Sequence, residues 1–284
     1  MRFLSRPRDE KNNPISAQDV FDTCVAMVRD ITLRSELEGI SNAIEKAAKR
    51  YDTRATAKAL YLTPHTAKVQ TVKGDELVRI YTLRMVPKKA KGRPIYNLIL
   101  SAPVNGRCPF CGIGTVNTLD HFLPKTHFPV FSVTPNNLVP ACEWCQGEKM
   151  EYFPTTAGEQ LLHPYYDDFD QDIWLEAKVV AGSPAAFRYS TAPPKNWSKE
   201  DKSRVAVHLK KLNLTTLFSS NAGSRLTEIR GRLVRLYDAG GIEPVRAHLY
   251  EELASIEEDQ KNSWVAAMYR AAIDSDWFCN GGFR

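Results

Sequence analysis

Cys108-Pro109-Phe110-Cys111, Thr118-Leu119-Asp120-His121-Phe122, Pro135-Asn136-Asn137-Leu138-Val139-Pro140-Ala141 and Cys142-Glu143-Trp144-Cys145-Gln146-Gly147-Glu148-Lys149 follow one another within residues 107–150. Two residues between cysteines let both thiolates of a pair point at one ion from a tight turn. Two such turns complete a tetrahedron, the arrangement zinc takes in structural sites. Gly112 and Gly114, just after the first pair, suit the tight backbone of a zinc knuckle. A single Cys-x-x-Cys would read equally as a redox motif. Two in one compact segment favour a structural zinc over redox or iron–sulfur chemistry. The other two cysteines are bland: Cys24 falls on an apolar helical face, and Cys279 stands near the end of the sequence.

Around this core the composition is that of an ordinary folded domain, 43% hydrophobic and 25% charged, which excludes a disordered chain. No run of apolar residues is long enough to span a bilayer. The charged opening, Met1-Arg2-Phe3-Leu4-Ser5-Arg6, lacks the apolar centre of a secretory leader. A cytoplasmic setting is therefore expected, where clustered cysteines bind metal more often than they pair. Charge is unevenly placed: residues 51–150 carry thirteen basic and six acidic groups, residues 151–196 three and seven. The basic excess shares its segment with the cysteines and would attract a polyanion such as nucleic acid. A solvated lysine-rich surface is the plainer alternative.

Four stretches are expected. Residues 1–100 read as a helical region. Ser16 and Asp19 resemble a helix-starting cap. Phe21, Cys24, Val25 and Val28 share one helical face, and Ile40, Ala43, Ile44 and Ala47 repeat the spacing. Leu77–Met85 fits a short strand or helix. A basic loop with Arg84, Lys88, Lys89, Lys91 and Arg93 follows, then a helix-like run over Pro94–Ser101. Residues 101–155 hold the cysteine core. Residues 156–196 combine an acidic, aromatic loop with a small hairpin over Trp174–Tyr189, turned at Gly182-Ser183-Pro184. The Pro-rich Ala192–Lys195 looks like a boundary. Residues 197–284 return to helices, with one stripe of Leu226, Ile229, Leu233 and Leu236 stopped at Gly240-Gly241 and another of Val245, Leu249, Leu253 and Ile256. The expected class is α+β, a mainly helical chain around a small zinc-stabilised finger.

A Cys-x-x-Cys, an Asp-His, an Asn-Leu, a second Cys-x-x-Cys and a Lys in this order resemble the HNH endonucleases, members of the ββα-metal (His-Me finger) nucleases. The flanking segments Leu162-His163-Pro164-Tyr165-Tyr166-Asp167-Asp168 and Ser275–Phe283 look like those of long bacterial HNH proteins. Some of these resemble the nuclease halves of anti-phage systems that pair an HNH protein with an ATPase. The resemblance implies a ββα finger and hydrolysis of DNA phosphodiester bonds to 5′-phosphate and 3′-hydroxyl ends. It makes His121 the general base, since imidazole titrates near neutrality. Asp120 becomes a ligand of a catalytic Mg²⁺ or Mn²⁺, and Asn137 the residue that fixes the loop and orients His121. Consecutive strand residues face opposite ways, so the strand must end or twist at Asp120-His121 for both to serve one site.

One position departs from the pattern. The residue after the second cysteine pair, usually Asn or His and a metal ligand, is Gln146. Its amide oxygen could still reach a hard cation; weak binding, another metal, or loss of activity are equally open. Lys125 and Lys149 are candidates for holding phosphate, with solvated surface lysines as the plainer alternative. His163 is a candidate replacement ligand, and His127 rivals His121 but lacks the preceding acid. Two other functions stay open: a zinc-stabilised nucleic-acid-binding module without catalysis, and a nuclease subunit switched on by an ATPase or sensor partner. RNA is an alternative substrate. A homo-oligomer would supply the two fingers a concerted double-strand cut needs.

Overall fold

The computed structural model describes residues 1–284. Residues 3–167 form one unit; residues 168–284, with Met1 and Arg2, form another. The third expected stretch, residues 156–196, is divided between the two units. The unit boundary falls at 167/168, not at Ala192–Lys195, which only links a hairpin to the helix after it inside the second unit.

The first unit opens with helices α1 (Ala17–Val25) and α2 (Ile31–Thr56). The Ser16 hydroxyl caps α1 by accepting from the Asp19 amide at 3.2 Å, and Asp30 caps α2 through the Leu33 amide at 3.0 Å. Each cap satisfies a backbone donor that the first helical turn leaves over. Helix α2 buries Leu37, Ile40, Ile44, Ala47 and Tyr51, a helical stripe that faces the core. A two-residue hairpin follows, β1 (Lys68–Val69) and β2 (Val72–Lys73). The ambiguous Leu77–Met85 region is helical: α3 (Gly74–Arg84) buries Leu77, Ile80 and Tyr81 at helical spacing. Helix α4 (Arg93–Leu100) starts with Pro94 in its first turn, where the missing amide costs nothing. Then come strand β3 (Thr118–His121), strand β4 (Leu138–Ala141) and helix α5 (Glu143–Lys149). The two strands are antiparallel, with Thr118 opposite Ala141 and His121 opposite Leu138.

The second unit begins with the expected hairpin, β5 (Leu175–Val180) and β6 (Ala186–Thr191). Its inward residues Leu175, Ala177, Phe187 and Tyr189 are buried, as the period of two requires. Four helices complete it: α6 (Lys199–Lys211), α7 (Leu214–Gly240), α8 (Ile242–Asp259) and α9 (Trp264–Ile273). Leu226, Ile229 and Leu233 are buried along α7, which ends at Gly241 with φ +73, a backbone state glycine adopts without strain. Val245, Leu249 and Leu253 are buried along α8. Asn262 ties hairpin to helices: its side-chain oxygen accepts from the Trp174 and Leu175 amides at 2.8 and 3.1 Å, and its nitrogen donates to the Asp172 carbonyl at 2.8 Å. The chain is helix-rich with three two-stranded sheets. No helix is long and apolar enough to cross a membrane.

Candidate active site and metal centre

The metal centre sits where β4 runs into α5. Cys108, Cys111, Cys142 and Cys145 are buried, and their sulfurs all lie within 4.8 Å of one another. The Cys111 and Cys142 sulfurs are 3.8 Å apart. A tetrahedral zinc with bonds of about 2.3 Å has sulfur–sulfur edges of about 3.8 Å, so the cage has the size of that ion. The first knuckle is closed by hydrogen bonds from the Gly112 amide to the Cys108 carbonyl (2.7 Å) and from the Cys108 amide to the Gly114 carbonyl (2.8 Å). Gly114 has no alternative: a Cβ there would lie 2.6 Å from the Cys142 Cβ and Sγ. The Ile113 and Gly114 amides both face the Cys111 sulfur at 3.4 Å. Two backbone amides aimed at one sulfur favour its thiolate form, the form a metal ligand needs. The four cysteines could hold a structural metal such as zinc. The residues present fit it.

Strand β3 leads from this centre to Asp120 and His121. Three strand steps, about 10 Å, separate Thr118, at the metal end, from His121. A cleft of about 420 Å³ opens there, lined among others by Tyr81, Asp120, His121, Lys125, Gln146 and Glu151. His121 is 5% exposed. Its Nε2 lies 2.9 Å from the Ser132 carbonyl oxygen, and the Tyr81 ring packs edge-on against the imidazole at 4.5 Å. A carbonyl can only accept, so Nε2 carries the hydrogen and Nδ1 the lone pair. Burial, seconded by the nearby Lys125 charge, pushes the His121 pKa down to about 3. The ring is therefore neutral at neutral pH.

Asp120 is held differently. Burial raises its pKa, and the Lys149 ammonium opposes that rise. Lys149 Nζ lies 2.9 Å from Asp120 Oδ2 and donates to the His121 carbonyl at 2.7 Å. The contact with Asp120 is ionic rather than directional, since Oδ2 receives no aligned hydrogen bond. Lys149 is 1% exposed. The expectation that it grips phosphate does not match this position; its charge is spent inside the protein, between the two residues that end β3.

Asn137 is fully buried. Its oxygen accepts from the Leu123 amide at 2.8 Å, while its nitrogen donates to the Leu123 carbonyl (3.0 Å) and the Phe131 carbonyl (3.3 Å). It closes the loop between the strands, and that loop carries Ser132. The hold on His121 is thus indirect, through Ser132. Lys125 is half-buried over the Tyr81 ring at 5.7 Å, and Gln146 is exposed on the cleft wall. His163 is no replacement ligand. Its Nδ1 faces the Tyr165 amide at 3.2 Å, its Nε2 the Tyr51 hydroxyl at 2.9 Å, and its ring stacks on Phe122. His127 lies outside the cleft lining, 3.7 Å from the Glu151 carboxylate.

The chain is 33% identical to protein ea31 of Escherichia phage lambda over 234 residues, 78% of this chain and 79% of the relative. It belongs to the ea31 family. A shorter likeness, 30% over 81 residues, links it to the Septu protein PtuB of Bacillus thuringiensis, covering 27% of this chain and 31% of that protein. No family model and no solved structure matches it.

Sequence reasoning missed several residues of this family member's cleft. Tyr81 and Tyr96 come from α3 and α4: the Tyr81 hydroxyl donates to the Leu119 carbonyl (3.2 Å), and the Tyr96 hydroxyl accepts from the Leu119 amide (3.3 Å). Both clamp β3 one residue before Asp120. Nothing in their helical spacing sets them apart from core aromatics. Ser132 contributes only its carbonyl, which no side-chain pattern reveals. Glu151, two residues past Lys149, adds a second carboxylate to the cleft.

Proposed function

We propose that this chain is a metal-dependent endonuclease that hydrolyses nucleic-acid phosphodiester bonds, with DNA as its substrate. The observation that carries the proposal is the His121 tautomer: Nε2 tied to the Ser132 carbonyl, Nδ1 bearing the lone pair, beside Asp120 on the wall of one cleft. Hydrolysis needs a base that takes a proton from water. Nδ1 is the nitrogen free to do so. An anionic phosphodiester entering the cleft raises the imidazole's affinity for that proton, offsetting the fall imposed by burial. The strand–strand–helix order of β3, β4 and α5, with Asp-His at the end of the first strand, supports the ββα-metal assignment.

Asp120 and the Gln146 amide would hold a hard divalent cation such as Mg²⁺ or Mn²⁺, both being oxygen donors. Asp120 Oδ2 already faces the Lys149 ammonium at 2.9 Å, so a cation would share this carboxylate with Lys149. When bound, the cation supplies charge neutralisation at the leaving oxygen. Lys149 opposes the rise that burial imposes on the Asp120 carboxyl, favouring its ionised form, and anchors the end of β3. Lys125 stands at the cleft to meet phosphate. Zinc on the four cysteines fixes where α5 begins, and so where Gln146 and Lys149 lie.

A second reading has one observation in its favour. Lys149 already places a positive charge on Asp120, and Gln146 replaces a shorter ligand, so the resting site could await a partner that reshapes it. The partial likeness to a Septu protein, together with the resemblance to HNH halves of ATPase-paired anti-phage systems, points to an ATPase or sensor as that partner and to a role in antiviral defence.

The test is supercoiled plasmid incubated with Mg²⁺ or Mn²⁺ and wild-type protein, His121→Ala, or wild type plus EDTA. Cleavage by wild type alone is the expected result. Equal cleavage by wild type and His121→Ala rejects the assignment of the base. Silence of all three, with DNA still bound, favours the partner-dependent reading.

A further inference from the structure

A separate cavity, lined by basic groups, lies in the same unit as the catalytic cleft. It measures about 280 Å³ and is lined by Arg50 and Arg54 of α2, Lys68 of β1, and Thr63, His65 and Phe131 among others; no carboxylate lines it. Arg50 and Arg54 stand four residues apart on one helical face, where like charges repel unless an anion lies between them. No ion pair occupies Arg50, Arg54 or Lys68. The Thr63 side chain is the second clue. Thr63 is 7% exposed, and its hydroxyl is buried with no hydrogen-bond partner. Buried hydroxyls are rarely left that way, because desolvation is then uncompensated.

Residues 126–132 form the shelf between the two cavities. Thr126 lines the catalytic cleft. The His127 carbonyl accepts from the Thr66 amide at 3.1 Å, and the His127 and His65 rings lie 5.2 Å apart. At the other end of the shelf, Phe131 lines the basic cavity, and the next residue, Ser132, holds His121. The two cavities are thus linked through one segment, with Thr126 at the catalytic cleft and Phe131 at the basic cavity, and His127 packed on His65 between them. The cavity falls just below the roughly 300–1,000 Å³ of sites that enclose a whole small ligand, and suits a phosphodiester unit.

We infer that this cavity seats a backbone phosphate of the nucleic-acid strand being cut, with Arg50, Arg54 and Lys68 supplying charge and Thr63 a hydrogen bond. The inference rests on the nuclease reading above. It assigns the protein a track for the substrate away from the scissile bond, one that reads backbone and not base identity.

The experiment uses the full chain carrying His121→Ala, without divalent metal, and fluorescence anisotropy with labelled single- and double-stranded DNA across a salt series. Against that parent, Arg50→Ala/Arg54→Ala is expected to bind about tenfold more weakly, with the slope of log affinity against log salt smaller by about one. Thr63→Val keeps the shape and is expected to bind several-fold more weakly with no loss of thermal stability, a combination a merely structural threonine would not give. Lys68→Glu, on an exposed strand end, checks the arginine pair independently. Unchanged affinity and slope in all three variants overturn the inference while the parent's own binding leaves the nuclease reading intact. Dependence on Arg50 and Arg54 for inorganic phosphate or ATP, but not for DNA, also overturns it, making the cavity a free-anion site. A parent that binds no nucleic acid removes the nuclease reading and this inference together.

Discussion

Replacing Lys149 with Met tests how the site holds its carboxylate. Methionine reproduces the lysine stem as far as Cε and removes the ammonium that faces Asp120 Oδ2 at 2.9 Å and donates to the His121 carbonyl at 2.7 Å. Breaking one side of a buried pair costs about 3–5 kcal/mol, because the remaining charge is stranded. Asp120 can escape by taking up a proton, and that escape sets a ceiling. Protonating a carboxylate of reference pKa about 3.9 costs about 1.4 kcal/mol per pH unit, hence about 5 kcal/mol at pH 7.5 and about 3 at pH 6. The sign follows from proton binding. In the variant the folded Asp120 has a pKa raised above the unfolded value, so the folded state holds the extra proton. Stability then falls as pH rises through that window and recovers as pH is lowered. Native-state hydrogen exchange of peptides covering β3 and β4 reports on this region alone. The opening free energy is expected to drop by about 3–5 kcal/mol at pH 7.5, and the deficit to shrink by about 2 kcal/mol at pH 6. Adding Asp120→Asn removes the stranded charge, and the cycle should return a coupling of at least about 2 kcal/mol. A loss under about 1 kcal/mol, with no pH dependence and no coupling, would refute the claim that Lys149 sustains a buried carboxylate.

Two further outcomes follow from the same site. Cys145→Ser, or prolonged treatment with a strong zinc chelator, is expected to strip the metal and abolish exchange protection across residues 108–149, since so short a segment has little core of its own; metal analysis should read one zinc per wild-type chain, and a full complement with intact protection in Cys145→Ser would count against a four-cysteine site. His121, with a folded pKa of about 3 against about 6.5 unfolded, contributes stability that is whole above about pH 6.5 and lost as pH falls. Between pH 7 and pH 5 wild type should therefore lose about 2 kcal/mol more than His121→Gln in urea unfolding, and parallel losses in the two proteins would mean that His121 is protonated as easily as in water.

Spacing made much of the first unit legible before any coordinates, because it encodes physical requirements that act locally. Ser16 with Asp19 specified a cap, and the apolar periods of α1 and α2 specified which faces are buried. The two Cys-x-x-Cys pairs specified one cage, with Gly114 where only glycine fits. The unread parts depend on contacts between residues distant in sequence. Tyr81 and Tyr96 clamp β3 from helices whose patterns look like any core stripe. Arg50, Arg54, Thr63 and Lys68 meet only because the β1–β2 hairpin folds back beside α2. Lys149 shows the difference most sharply. Its position three residues past Gln146 was plain, yet a sequence cannot say whether a lysine faces water or core. Cys142 and Cys145 decide it. By fixing the first turn of α5 to the first knuckle, they set the helix at a rotation that turns Lys149 inward onto Asp120 and His121 and leaves Gln146 on the cleft wall. The cysteine cage and the Asp120–His121 pair are thus one geometric unit: a change that loosens the cage displaces the Lys149 ammonium from the Asp120 carboxyl, some 10 Å away along β3.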